Sequence, residues 1–228
     1  MSRPGEHVYL TLRRRIMSGH YSPGAQLKEE GLASELEVSR TPVRAALQRL
    51  IGDGLVIGHS NRGAFVAEWT TQDIGEIYEL RSLLEGHAAA LAAERRTLQQ
   101  VAEMGELTDR MEDLYRHKPR EYLAEIQNVN QRFHLLILDA SGSPRLKTMA
   151  RNLVDTPIII GSFYFYADDD LERSVQHHRD LVHAIDAQNR ELAKQIMSVH
   201  LGFSHQLFMR HRQQNNGEDP KKRAGDNS

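Results

Sequence analysis

The sequence predicts a mainly α protein in two parts: three short helices and a β-hairpin over residues 1–69, then an all-helical antiparallel bundle over residues 70–212. Three observations carry this. Apolar residues recur at helical spacing through most of the chain. The alternating, strand-like signal is confined to two short apolar runs around a polar tip that contains glycine. From Thr71 to His211 the periodicity is helical, with turn signals at Lys118-Pro119, Ser141-Gly142-Ser143-Pro144, Ala167 to Asp170 and Gln188-Asn189, and about six helices are read there.

Taken in order, Val8, Leu10, Leu12 and Ile16 mix with Arg13-Arg14-Arg15 in a first helix from His7 to Met17, ending near Gly19 before Ser22-Pro23-Gly24. Lys28 to Leu36 reads as a second short helix. Ser39-Arg40-Thr41-Pro42 then starts a third, with Thr41 as N-cap and Pro42 at the first helical position, running to about Gly52. Val43, Ala46, Leu47 and Leu50 form its inward stripe, which leaves Arg44 and Gln48 on an outward row that Arg40 extends. Leu55-Val56-Ile57 and Ala64 to Ala67 flank His59-Ser60-Asn61-Arg62-Gly63 as a β-hairpin, so the first part is a winged helix-turn-helix. The six helices that follow span Asp73 to Arg95, Leu98 to His117, Arg120 to Ala140, Arg145 to about Tyr166, Leu171 to Ala187 and Arg190 to Arg212. Each has enough apolar residues for a bundle face, as with Val101, Met104, Leu107, Met111 and Leu114. Residues 213–228 are polar and are expected to be a disordered tail.

Composition narrows the function. With 39% apolar and 26% charged residues the chain is neither fibrous nor disordered. No apolar run approaches the roughly 18 residues of a membrane span, and Met1 to Glu6 lacks a signal-peptide core, so a cytoplasmic protein with no membrane partner is expected. With no cysteine there is no disulfide, thiolate nucleophile or cysteine zinc finger, and a metal would rest on the histidines, of which there are 12, on carboxylates or on amides. Residues 1–69 carry nine Arg and Lys against seven Asp and Glu, too slight an excess to prove a nucleic-acid partner. The positions of those arginines decide.

A helix in the major groove presents long donors from its exposed row, and the arginine fork matches the O6/N7 acceptor pair of guanine. Arg44 and Gln48 lie four apart on that row, and Thr41 with the free N–H groups of the helix start is placed for a phosphate. Taken singly, Arg40, Arg44 and Arg49 are as readily ordinary solvated charges. Together with the proline helix start and the Asn61-Arg62-Gly63 tip, fit to meet the backbone or minor groove, they point to double-stranded DNA.

Leu32 to Leu50, including Val38-Ser39-Arg40-Thr41-Pro42-Val43-Arg44, followed by Gly52-Asp53-Gly54-Leu55-Val56, resembles the N-terminal domain of GntR-family transcription regulators. Ile16 to Leu27 resembles the same domain's first helix and turn, so residues 7–68 are covered. The resemblance implies that Arg40, Arg44 and Arg49 contact operator DNA, with Thr41 on phosphate and Asn61, Arg62 and Gly63 at the wing. Ala45 stands where the family commonly has Glu, a departure that bears on helix surface charge more than on DNA reading.

In the second part Asn130 and His134 are four apart on one expected helix, with His178 and His200 on two others that an antiparallel arrangement can bring to the same depth. A lone core histidine is more often hydrogen-bonded and structural, so spacing leaves both readings open. Arg81 to Glu85, Asn130 to His134, Ala140 to Leu146, His178 to Ile185 and Ala193 to Leu201 resemble the FCD ligand-binding domain of the FadR subfamily, over residues 71–211. The six helices resemble its shorter, VanR-type version. In metal-binding members an acidic residue and three histidines hold a divalent ion, and the resemblance implies that Asn130, His134, His178 and His200 do so here, most readily with Zn²⁺. Asn130 departs from the usual Asp: it coordinates without charge, so the site is one unit more positive and calls for an anion from the effector. Arg81 is the expected second clamp on an effector carboxylate, the plain alternative being a structural ion pair with Glu85. Phe163 to Tyr166 is read as a pocket wall or as ordinary core.

The expectation is a homodimeric, metabolite-responsive transcription regulator, a repressor released from its operator by an organic-acid effector at a metal site, and not an enzyme. The alternatives are a metal-free regulator and a histidine-metal enzyme, the latter lacking a carboxylate base at a fixed spacing.

Overall fold

The computed structural model describes residues 4–17, 20–60, 62–68, 70–154, 163 and 166–217, and among these the chain forms two compact units, the first comprising the described residues up to Thr70 together with Phe163, the second the rest. The first holds α1 (Pro4–Met17), β1 (Gln26–Leu27), α2 (Glu29–Glu35), α3 (Arg40–Gly52), β2 (Val56–His59) and β3 (Gly63–Val66). Its core joins Val8 and Leu12 of α1, Leu32 of α2, Val43, Leu47 and Leu50 of α3, and Leu27, Val56 and Val66 of the sheet, all buried. The inward stripe expected for α3 is the observed one.

Between α2 and α3 the chain reverses through Glu37, which adopts φ 53°, while the Val38 N–H donates to Ala33 O at 3.0 Å. A non-glycine residue in the left-handed region costs of order 1 kcal/mol, and the half-buried Val38 packed on the core is what holds it. The N-cap of α3 is Ser39 rather than Thr41, so the helix begins at Arg40 and Pro42 is its third residue. That position tolerates proline because the first N–H groups of a helix have no intrahelical acceptor.

The sheet is antiparallel in the order β1-β3-β2, with Gln26 opposite Phe65, and with Val56 opposite Val66 and His59 opposite Gly63. The hairpin tip therefore lies between His59 and Gly63, and Gly63 at φ +93° makes the turn that an L side chain resists. The expected tip residue Asn61 lies outside the described residues. Strand β1 is an addition to the expected pair, two residues long and specified by a partner far along the chain rather than by local pattern.

The second unit holds six helices among the described residues: α4 (Thr71–Arg95), α5 (Leu98–His117), α6 (Tyr122–Ala140), α7 (Pro144–Val154), α8 (Asp168–Asp186) and α9 (Arg190–Gly217). Helix α4 is central, packing against α6, α7, α8 and α9, and its run Ala88 to Ala93 is buried throughout. Small side chains let four neighbours approach one helix. Thr97 caps α5, its Oγ1 accepting from Gln100 N at 3.2 Å while Gln100 Oε1 accepts from Thr97 N at 2.9 Å. Of the stripe expected on α5, Met104, Leu107, Met111 and Leu114 are buried and Val101 is partly so.

The fourth bundle helix is described from Pro144 to Val154, and most of the rest of its expected span, to about Tyr166, lies outside the described residues. Helix α9 continues past Arg212 to Gly217, so the segment expected to be disordered begins helical, and residues 218–228 lie outside the described set. No described helix is long and apolar enough to cross a membrane.

Candidate DNA interface and candidate metal centre

One face of the first unit is concave, lined by Arg40, Arg44 and Gln48 of α3, by Glu29 of α2 and by His59 and Gly63 of the hairpin. The side chains of Arg40 and Arg44 are 59% and 62% exposed. Gln48 is also exposed, so the outward row read from helical spacing is present as a row. Thr41 is exposed in the first turn of α3, beside the N–H groups that turn leaves without acceptors. At the hairpin, Arg62 is exposed and its carbonyl accepts from Gln26 Nε2 at 2.8 Å, which ties the tip to β1.

Arg44 meets a carboxylate that spacing did not announce. Its Nε and Nη2 donate to Glu29 Oε1 and Oε2 at 2.9 and 2.8 Å, and Arg40 Nη2 lies 3.6 Å from the same Glu29. Glu29 and Arg44 belong to different helices, so helical periodicity carries no signal of the pair.

Arg49 departs from the expected set. It lies half a turn of the helix away from Arg40 and faces α1, where Nη1 pairs with Glu6 Oε2 at 2.6 Å and the guanidinium carbon sits 3.7 Å from the Tyr9 ring centroid. Tyr9 in turn donates to Asp53 Oδ2 at 2.7 Å, and burial together with that bond pushes its hydroxyl up to about 12. There Arg49 joins α1 to α3, on the side of the helix away from Arg40.

In the second unit the three histidines do converge. His134 of α6, His178 of α8 and His200 of α9 are 1%, 0% and 2% exposed, and one ring nitrogen from each lies within 4.8 Å of the others. His134 Nδ1 lies 2.6 Å from Glu85 Oε2 and donates to it, while its Nε2 is buried with no hydrogen-bond partner. His178 Nδ1 lies 2.6 Å from Ser174 O and Nε2 lies 2.9 Å from Asn130 Oδ1; both oxygens are acceptors, so a neutral ring donates to only one of them. His200 Nδ1 is buried without a partner. Burial, more than the neighbouring His134, pushes His178 down to about 3, and burial pushes His200 well below the ordinary imidazole range, so both rings are neutral.

Neutral imidazoles with inward lone pairs are what ligation requires. With imidazole nitrogens about 2.0–2.1 Å from a divalent ion, two donors stand at most about 4 Å apart, so the observed spacing closes on an ion with rotations of about 1 Å. The donor set fits.

Arg81 is placed differently from the expectation. It is buried on α4, and its Nε donates to Glu85 Oε1 at 2.7 Å, the plain ion pair rather than an open clamp. Burial works to raise the Glu85 carboxyl, and the charges of Arg81 and His134 overcome it, holding the group at about 2. From the sequence Glu85 was expected only as a partner for Arg81, and its contact with His134 was missed. It fixes the His134 tautomer, the second-sphere role that a carboxylate plays behind a ligating histidine. The i,i+4 spacing of Arg81 and Glu85 was the available signal. His177 stands at the edge of the cluster, its ring 5.9 Å from that of His200. Phe163 is buried and Tyr166 lies 6.3 Å from Phe203, while residues 164 and 165 lie outside the described ones.

Comparison with known sequences agrees with this division. Residues 4–66 match the model described as bacterial regulatory proteins, gntR family, and residues 76–203 match the FCD domain. The chain belongs to the GntR family of bacterial regulators. The Escherichia coli regulator McbR is 30% identical to this GntR regulator over 218 residues, 90% of this chain and 97% of its own. The gluconate operon transcriptional repressor of Bacillus licheniformis is 26% identical over 204 residues, covering 87% of this chain and 82% of its own. The solved structure of McbR/YncC from E. coli superposes with a TM-score of 0.68 at 27% identity, over 93% of this chain and 100% of that one. Both family models and these relatives are transcription regulators, so this GntR protein is a DNA-binding regulator and not an enzyme.

Proposed function

We propose that this regulator is a homodimeric repressor released from its operator by a small carboxylate-bearing effector, which docks at a divalent ion, most readily Zn²⁺, in the helical unit. The observation that carries the reading is the cluster of buried His134, His178 and His200, one ring nitrogen of each within 4.8 Å of the others, with His134 Nε2 and His200 Nδ1 unpartnered and Glu85 behind His134. With Asn130 Oδ1 beside His178, these residues would hold the ion. A bound ion there supplies a cationic docking point that three imidazoles and an amide leave uncompensated.

On the DNA side Arg40, Arg44 and Gln48 read base edges from the concave face, and Thr41, Arg62 and Gly63 meet the backbone. Two symmetric heads double those contacts and read a palindrome. Leu80 and Leu83 of α4 and Val199 of α9 support a second copy, being 47%, 65% and 60% exposed on helices that pack together. A coupling of about 1–3 kcal/mol between effector and operator changes DNA affinity roughly 5- to 150-fold.

The test is elemental analysis of the protein as purified, with His134→Ala and His178→Ala beside it. One divalent ion per chain, lost in both variants, is the expected result. Absence of stoichiometric metal in the wild type overturns the metal and leaves a metal-free regulator. Gel shifts with carboxylate effectors then fix the sign: operator affinity is expected to fall on addition.

A further inference from the structure

We propose that Glu29 determines the base specificity of the DNA-reading face by holding the Arg44 guanidinium along one edge so that its other edge is presented to guanine. This rests on Arg44 being a base-reading residue. A guanidinium has two donor edges suited to paired acceptors: Nε with one Nη, and the end-on pair of both Nη groups. Glu29 occupies the first, through Nε at 2.9 Å and Nη2 at 2.8 Å. The end-on pair remains, and it matches the O6 and N7 acceptors of guanine.

Three consequences follow from this placement. Arg44 is a long side chain, 62% exposed, whose rotamers would otherwise be spread over the groove, while Glu29 is only 27% exposed on a separate helix and so acts as a fixed post. Both residues line the same concave face as Arg40, Gln48 and the hairpin, so the brace stands where a duplex would lie. The carboxylate also offsets the charge that Arg44, and Arg40 at 3.6 Å, offer to phosphate. Phosphates are common to every duplex and guanine is not. An acid at this point therefore weakens sequence-independent attraction while keeping the directional contact, which is how discrimination is raised.

The experiment uses the full chain and a library of duplexes randomised across the binding site, with bound DNA sequenced for the wild type, Arg44→Ala, Glu29→Gln and Glu29→Ala. Thermal melts verify that each variant folds. Wild-type protein is expected to select a guanine in each half-site that Arg44→Ala ceases to prefer. Glu29→Ala should reduce the preference at that same position about tenfold, Glu29→Gln less, with other positions kept. Affinity for unselected duplex should rise, and its salt slope should steepen by about one ion as Arg44 turns to phosphate. If Arg44→Ala loses the guanine while both Glu29 variants keep it within about twofold at an unchanged slope, the brace is refuted and the reading role of Arg44 stands. If Arg44→Ala selects the same site as wild type, the reading role itself fails and the proposal with it.

Discussion

Replacing Glu85 with alanine perturbs a buried chain of charges in the helical unit. The side chains of Arg81 and Glu85 are 4% and 1% exposed and meet at 2.7 Å, and Glu85 also accepts a hydrogen bond from His134 Nδ1 at 2.6 Å. Alanine leaves the Arg81 guanidinium inside the bundle without its counter-charge. Loss of one partner from a buried pair costs about 3–5 kcal/mol, chiefly for the charge left behind. Set against a total of about 5–15 kcal/mol for a domain, this is a large fraction. The assay is urea and thermal denaturation of chelator-treated full chain, comparing wild type, Glu85→Ala, Arg81→Ala and the double variant. Glu85→Ala is expected to lose about 3 kcal/mol or more, and the double variant to lose less than the two singles summed, by about 2 kcal/mol. A Glu85→Ala loss under about 0.5 kcal/mol, or strict additivity, refutes the reasoning.

Three further substitutions read other parts of the molecule. Phe133 is fully buried and meets the His178 ring edge-on at 4.6 Å. Phe133→Ala is expected to cost about 3–5 kcal/mol in denaturation and to weaken zinc retention with it. Arg49→Ala should lower stability by about 1 kcal/mol through loss of the Tyr9 and Glu6 contacts. The base preference from the randomised library should not change, and a changed preference would return Arg49 to the DNA. Gly63→Ala forces an L side chain to φ +93° with only ordinary contact at 3.6 Å from Gln26 Nε2, so the loss is conformational. A fall of about 1 kcal/mol or more is expected, checked by melting.

What the sequence made legible follows from the range of each signal. Helix existence in both units was readable because Val43, Ala46, Leu47 and Leu50, or Met104, Leu107, Met111 and Leu114, repeat at a period set by the helix itself. Strand β1 was not readable, because Gln26 and Leu27 are a strand only by pairing with Phe65 and Ala64. The cap of α3 was displaced by two residues because serine and threonine are both good caps and Pro42 is tolerated anywhere in the first turn. Among site residues, Asn130 and His134 share a helix and were linked by spacing, whereas His178 and His200 sit on separate helices and needed the family resemblance. The partners of the expected residues were the hidden part. Glu29 answers Arg44 across two helices and Glu85 answers His134 across two others, and tertiary pairing of that kind has no period to read.

The buried charges of the helical unit bear on why Asn130 matters. Arg81 and Glu85 cancel, burial keeps His178 and His200 neutral, and the Asn130 amide brings no charge. A divalent ion among these ligands keeps its full charge in an interior where uncompensated charge is expensive. An effector carboxylate would relieve that cost, so ion and anion binding are linked, and each must raise the affinity of the other by the same factor. Asn130→Asp supplies the missing charge from the protein. The variant is expected to hold Zn²⁺ about tenfold more tightly in competition with a chromophoric chelator, since opposite charges within a few ångströms interact by several kcal/mol before desolvation is subtracted. The same variant should lose most of any enhancement that benzoate or succinate gives to zinc binding in the wild type, because the position they neutralise is already neutralised. Zinc held no more tightly by Asn130→Asp than by the wild type would remove the charge argument, and with it the reason to assign the effector a carboxylate.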